Sequence, residues 1–334
     1  MERNRILIIR TGGLGDTILL WPAIQCMRQR FPTAQIDLMG NRESCELLAV
    51  EGGVDLAIDV EGSGLHYLFE ISASLPDKVC TSFQSYDTVV AFAAPGDYAL
   101  AENLSACGVG EVHAFLPYPV QADTIHIADH TINSLAGVDL ARPVEPALLP
   151  VSKTESEDGR RKLDQLDLAG HKPALIAPGS GSTSKNWAAQ SWAELLPGLE
   201  QEGRRPVLLQ GPADAESVEQ VQNCLENPVP VLVSNSAREL KGALAQAVLF
   251  VGNDSGPAHL AAALGIPTVA IFGPSDPLLW SPKGPQVEIV QKPVACAPCE
   301  ADSRRACHER ICLDGVEVDQ VLAGCRELLS RAPN

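Results

Sequence analysis

Aromatic residues make up only 4% of this 334-residue chain, so its cores must be filled by Leu, Val, Ile and Ala. Basic residues are also scarce: 25 Lys and Arg stand against 42 Asp and Glu, a formal net charge of −17. That balance argues against nucleic acid as a general partner and against a broad electrostatic grip on anionic lipid, and leaves room only for a local basic patch. No apolar run approaches the ~18 residues needed to span a bilayer. Met1 to Arg5 lead straight into a strand pattern, without the basic region, apolar core and cleavage site of an export signal. Ten cysteines in such a chain are expected to be mostly reduced thiols of a cytoplasmic protein.

What the chain does have is length and alternation. Its size predicts two domains, and 45% hydrophobic residues is enough to give each a core. Short apolar runs predict strands over 5–10, 35–39, 54–59, 87–92 and 111–115. Helical patterns fall over 16–30, 42–51, 96–107 and 123–136. Around Pro143, Pro146 and Pro150 the character changes, and a charged stretch over 153–167 reads as a linker or a solvated helix. Alternation then restarts, with strands over 174–177, 206–210, 229–233, 247–251 and 266–272 and helices between them. The expected class is α/β, with two doubly wound, Rossmann-like domains built on parallel sheets. Their expected bounds are 1–155 and 173–315, joined by a linker at 156–172 and followed by a closing amphipathic helix in 316–334.

Open α/β sheets bind ligands at the carboxyl ends of their strands, so the loops that follow strands carry the chemistry. Gly252-Asn253-Asp254-Ser255-Gly256-Pro257-Ala258-His259 joins an apolar strand to a helix, with Pro257 suited to the first turn and Ser255 or Asp254 to the cap. Backbone N–H groups and the positive end of the helix dipole make this an anion cradle, most naturally for a phosphate. The plainer reading is a turn that needs Gly and Ser only to bend.

Thr11-Gly12-Gly13-Leu14-Gly15-Asp16 follows the first strand. A dinucleotide fingerprint fails there, because Ile18 stands where its third glycine belongs. Asp16 is either a plain helix cap or a carboxylate placed as a general base. Ala177 to Trp187 follows the first strand of the second half, and its small hydroxyl residues lead to Lys185. Hydroxyls, N–H groups and one ammonium suit a phosphate, although the P-loop spacing is absent and a flexible loop is the alternative.

Taken together and in this order, the Gly-Gly-x-Gly-Asp loop, the Pro-Gly-Ser…Lys-x-Trp loop and the Asn-Asp-Ser-Gly-Pro-x-His motif resemble glycosyltransferase family 9, the ADP-heptose:lipopolysaccharide heptosyltransferases. The resemblance covers nearly the whole chain. It implies a GT-B fold, two Rossmann-like domains facing across a cleft, with the closing helix packing back toward the N-terminal domain. It implies inverting, metal-independent transfer of heptose from an ADP-sugar donor to a lipopolysaccharide inner-core acceptor, with no cofactor required for catalysis. No Asp-x-Asp metal motif stands in an equivalent place.

By the same resemblance, Asp16 matches the general base and Lys185 the lysine that neutralises the leaving diphosphate. Ser180 and Gly181 lie in the lysine's loop. Asp254, Ser255, Gly256, Pro257 and His259 match the donor-binding motif, Glu216 falls near the expected nucleoside position, and Thr11, Gly12, Gly13 and Gly15 approach substrate. The acceptor rides on lipid A, so transient contact with the inner face of the cytoplasmic membrane is implied. Transfer to a protein or another polysaccharide, or nucleotide-sugar binding without turnover, are the alternatives.

Cys296, Cys299, Cys307 and Cys312 crowd one loop before the closing helix, a spacing that suits a structural zinc or iron. A reduced buried loop, or disulfides formed on isolation, would use the same residues. His126 and His130 lack further ligands and read as helix residues. Trp187 and Trp192 read as packing residues, and Trp280 as packing or as the border of the donor site. The six scattered cysteines read as small core residues.

Overall fold

The computed structural model describes residues 4–70, 75–93, 98–120, 124–166, 168, 171–300, 303–304 and 307–331. The chain divides into two units, Met1–Ala147 and Leu148–Asn334. In the first, β1 (Arg5–Arg10), β2 (Gln35–Gly40), β3 (Leu56–Asp59), β4 (Thr88–Phe92) and β5 (Glu111–Phe115) form a parallel sheet in the order β3-β2-β1-β4-β5. In the second, β6 (Pro173–Ala177), β7 (Arg205–Gln210), β8 (Val231–Val233), β9 (Leu249–Asn253), β10 (Thr268–Phe272) and β11 (Val287–Gln291) run parallel in the order β11-β10-β9-β6-β7-β8. Both are doubly wound orders. Each reverses direction at one place, between β1 and β4 in the first unit and between β6 and β9 in the second, and such switch points are where ligands bind.

The cores are aliphatic, as the scarcity of rings requires. Leu7, Ile9, Val89, Ala91, Leu100 and Leu104 fill the first unit, and Ile176, Leu208, Val251, Val269 and Ile271 the second. Trp192 is fully buried and meets Trp187 edge-on, with ring centroids 5.1 Å apart. His126 caps the helix Ile127–Ala136, its Nδ1 accepting from Ala128 N–H at 3.1 Å, so it serves as a helix residue.

Local chemistry moves several boundaries. The helix expected over 16–30 is two, Leu14–Ile18 and Trp21–Arg30, because Pro22 has no N–H to continue the ladder. β8 begins only at Val231, since Pro230 accepts from Leu208 through its carbonyl but has no hydrogen to give. β11 had no counterpart among the expected strands. The helices expected over 96–107 and 123–136 are described as Tyr98–Ala106 and Ile127–Ala136; residues 96–97 and 123 lie outside the described residues.

The expected linker is also more ordered than its charge implied. Lys153–Asp164 is a helix opened by a capping box, Ser152 and Glu155 satisfying each other's backbone N–H. It lies against the helix Ala237–Leu244 so closely that a Cβ on Gly159 would come within 1.9 Å of the Gly242 carbonyl oxygen. The closing helix, expected to pack back toward the N-terminal domain, is seated within the second unit. Val321, Leu322, Cys325 and Leu328 form one apolar stripe that rests on the helix Ala189–Gln201 and on β9, β10 and β11. Among the scattered cysteines, Cys80 and Cys107 are joined in a disulfide and Cys224 is exposed, which corrects the reading of all six as small core residues.

Lys241 is completely buried, its Nζ 3.4 Å from Glu155 Oε1. Burial pushes the Lys241 ammonium down against the pull of Glu155. For Glu155 burial opposes ionisation, but the Ser152 hydrogen bonds and the Lys241 charge outweigh it and hold the carboxyl below its usual range. A lowered carboxyl pKa stabilises the fold fully above the unfolded-state value of about 4.3 and loses that contribution as pH falls through the folded value. Glu155→Gln keeps the capping geometry but not the charge. It is expected to lower the urea midpoint at pH 7, and the gap from wild type should close at acid pH. Parallel curves at both pH values would refute the charge pairing.

Candidate active site

β1 ends in Arg10, and the chain then turns through Thr11, Gly12 and Gly13 into the short helix Leu14–Ile18. Asp16 sits in that first turn, and its Oδ2 accepts the Gly13 N–H at 3.1 Å, which is a capping bond. The cap is only part of its surroundings. Arg10 Nη2 donates to Asp16 Oδ1 at 2.9 Å, and the Tyr118 hydroxyl donates to the same oxygen at 3.1 Å. Arg10 is itself buried, and its Nη1 donates to the Pro117 carbonyl at 2.9 Å. Burial, and then the Asp16 carboxylate, raise the Tyr118 pKa above the ordinary phenol value, so the hydroxyl remains a donor. Gly12 is needed here for space: a Cβ on it would lie 2.7 Å from the Asp16 Cβ. Gly12 and Gly13 therefore lie against a carboxylate at the carboxyl end of the switch-point strand, with Thr11 and Gly15 in the same turn, and Asp16 remains partly exposed.

In the second unit, β6 and β9 lie side by side and deliver two loops to one place. Asn253 is fully buried and ties them together: its Oδ1 accepts the Trp187 N–H at 2.9 Å and its Nδ2 donates to the Pro178 carbonyl at 2.8 Å. That bracing brings Lys185 to Asp254, Nζ to Oδ2 at 2.6 Å, with the carboxylate buried and the ammonium partly exposed. Just beyond stands the helix Gly256–Ala263, with Pro257 in its first turn. The Ser255 hydroxyl turns back to the Asn253 carbonyl at 3.1 Å and does not cap the helix, so the first turn keeps its positive end uncapped. His259 lies buried in the same turn.

An ammonium beside a helix N-terminus suits a diphosphate. A carboxylate does not, because it repels one. Asp254 therefore fits a role of holding Lys185 better than one of touching phosphate, although the sequence grouped it with the donor-binding residues.

Other expected residues are placed differently. Ser180 Oγ lies 2.7 Å from both Ser182 O and Asn186 Oδ1, so its hydroxyl is engaged inside its own loop. A Cβ on Gly181 would meet open space. Glu216 is exposed and accepts from Gln220 Nε2 at 3.2 Å. From the same helix, Ser217 reaches the lysine loop, accepting from Asn186 Nδ2 at 3.0 Å. Asp214 explains the Pro-Gly-Ser glycine: a Cβ on Gly179 would fall 2.0 Å from its Oδ1.

Cys296, Cys299, Cys307 and Cys312 line one cavity of about 30 Å³, which they share with Arg304 and Arg310. Among the described residues, no three His, Cys, Asp or Glu side chains converge as metal ligands. Burial pushes the Cys299 and Cys312 thiols up, and Cys299 donates to the Cys296 carbonyl at 3.1 Å. The loop is tied to the lysine loop by Arg310, which donates to the Asn186 carbonyl.

Arg10, Tyr118, Asp214 and Ser217 were not expected from the sequence. Arg10 carried one signal, a charge closing a strand whose interior is apolar.

The chain matches the profile of glycosyltransferase family 9 (heptosyltransferase) over residues 122–308. It is 23% identical over 286 residues to lipopolysaccharide heptosyltransferase 3 of Escherichia coli K12, covering 80% of this chain and 82% of that protein. In structure it resembles a glycosyltransferase family 9 protein from Veillonella parvula, with TM-score 0.82, 20% identity and 99% of each chain covered. It also resembles Escherichia coli ADP-heptose lipopolysaccharide heptosyltransferase II, with TM-score 0.75, 21% identity and 98% and 99% of the two chains covered. These likenesses show the fold: two parallel-sheet units of the GT-B type. No helix among the described residues is long and apolar enough to cross a membrane.

Proposed function

The chain belongs to glycosyltransferase family 9, and from that premise we propose that it moves heptose from ADP-heptose to an inner-core sugar of lipopolysaccharide. The transfer inverts the anomeric centre and needs no metal for catalysis. The acceptor is carried on lipid A, so the work is done in the cytoplasm, in transient contact with the inner face of the membrane.

What carries the reading is the pairing of Lys185 with Asp254 at the mouth of the helix Gly256–Ala263. In the transition state the sugar C1 gains oxocarbenium character and negative charge grows on the departing ADP. A fixed ammonium and a helix N-terminus act on that charge as it develops, which is where preorganised electrostatics lower a barrier most. Asp16 takes the proton of the attacking acceptor hydroxyl, a role that requires its ionised form. Arg10 and Tyr118 both donate to the carboxylate and hold it in place.

The test pairs calorimetric titration with a turnover assay. ADP-heptose is expected to bind with a saturable heat that UDP- and GDP-sugars do not match. ADP release should then depend on added heptose-deficient lipopolysaccharide core. Preference for a UDP- or GDP-sugar would overturn the donor assignment. Tight ADP-heptose binding with no acceptor-dependent release would mark a binding protein.

A further inference from the structure

The Asp16 carboxylate is held asymmetrically, and the asymmetry assigns its two oxygens different work. We propose that Arg10 and Tyr118 are positioning residues for sugar transfer: together they occupy Oδ1 of Asp16 and leave Oδ2 as the oxygen that receives the acceptor's proton. This rests on the reading of Asp16 as the general base.

An ionised carboxylate oxygen offers about two acceptor sites. Oδ1 takes Arg10 Nη2 at 2.9 Å and the Tyr118 hydroxyl at 3.1 Å, which fills both. Oδ2 takes the Gly13 N–H at 3.1 Å, and that is its one bond among the described residues. A Cβ at position 12 would stand 2.9 Å from Oδ2, so the glycine keeps that side of the carboxylate open. The acceptor's proton passes to Oδ2 and its oxygen lone pair forms the new bond to C1. The electron pair of the old C1–O bond leaves with ADP.

The anchor itself is rigid. Arg10 is 3% exposed and uses its planar fork twice, once on Asp16 and once on the Pro117 carbonyl. Its guanidinium also lies over the Tyr118 ring, 4.9 Å from the centroid, and 5.8 Å from that of Phe92. Arg10 closes β1 and Tyr118 follows β5, so the sheet sets the orientation of Asp16 more than its five-residue helix does. A reacting group held by the scaffold keeps its geometry better than one held by a loop.

The experiment measures kcat, donor KM and melting temperature with ADP-heptose and heptose-deficient lipopolysaccharide core. Tyr118→Phe keeps the ring over Arg10 and removes one bond to Oδ1. It is expected to lower kcat at least about tenfold while donor KM and melting temperature stay put. Arg10→Ala should lower kcat by about 10²-fold, the scale of a 1 Å misplacement, and added guanidinium should restore part of it. Arg10→Lys, which reaches only one of the two partners, should fall between. If Arg10→Ala does not fold, Tyr118→Phe decides. Wild-type kcat in Tyr118→Phe and Arg10→Lys, with Asp16→Asn inactive, would overturn the positioning role and leave the base standing. An active Asp16→Asn would instead remove the base, and this inference with it.

Discussion

Asp16→Asn is expected to slow sugar transfer by about 10²–10⁴-fold in a single-turnover assay, the range a general base contributes. The substitution is nearly isosteric, so Gly12 keeps its clearance, while the amide NH2 in place of Oδ2 gives up the Gly13 capping bond. What it removes is the ability to take a proton. The asparagine oxygen can still accept from Arg10 and Tyr118, the two donors that hold the carboxylate now. Donor affinity should change little, because the cation and helix N-terminus assigned to the diphosphate belong to the other unit. A variant that folds, binds ADP-heptose and transfers the sugar at close to the wild-type rate would take Asp16 out of the mechanism.

Lys185→Ala is expected to cost about 10²–10³-fold in the same assay, comparable to the loss of one preorganised donor at a developing charge. A second effect accompanies it. Asp254 is buried and its cation is Lys185, so the single variant leaves a carboxylate without its partner and should melt earlier. The double variant Lys185→Ala/Asp254→Asn removes the stranded charge, and its melting temperature should recover while its rate does not. Rate recovery in the double variant would mean that the lysine mattered only through folding. Lys185→Arg keeps a positive charge at the position assigned to the diphosphate and should retain more activity than alanine.

The three loops were legible because each is written in consecutive residues. Glycine, proline and small hydroxyls mark the ends of apolar strands, and the strands lie where Val, Ile and Leu run together. Parallel pairing followed from strand–helix alternation, and the Asp16, Lys185 and Asp254 loops leave the strands that flank the switch points. What stayed hidden depends on distance along the chain. Tyr118 meets Asp16 across 102 residues, and nothing near position 118 announces it. Glu216 was expected near the nucleoside by resemblance, yet the helix turns its neighbour Ser217 toward Asn186 and the glutamate toward solvent. The linker looked solvated because its charges were counted, while Gly159, which lets two helix backbones touch, carried no charge to count. The cysteines line one cavity but, among the described residues, do not converge as the metal ligands their spacing suited, and Arg304 and Arg310 share it, which spacing could not foresee.

The asparagine between β9 and its following helix shows how a short motif divides its labour. Its carboxamide must offer oxygen to one end of the lysine loop and hydrogen to the other, and each need fixes one end of the group. Aspartate has the reach but no hydrogen to give once ionised, and leucine has the volume but neither pole. Chemical ageing of this side chain to the acid would set two oxygens face to face at the Pro178 carbonyl and loosen the lysine's footing, while every residue assigned to the sugar nucleotide stayed intact.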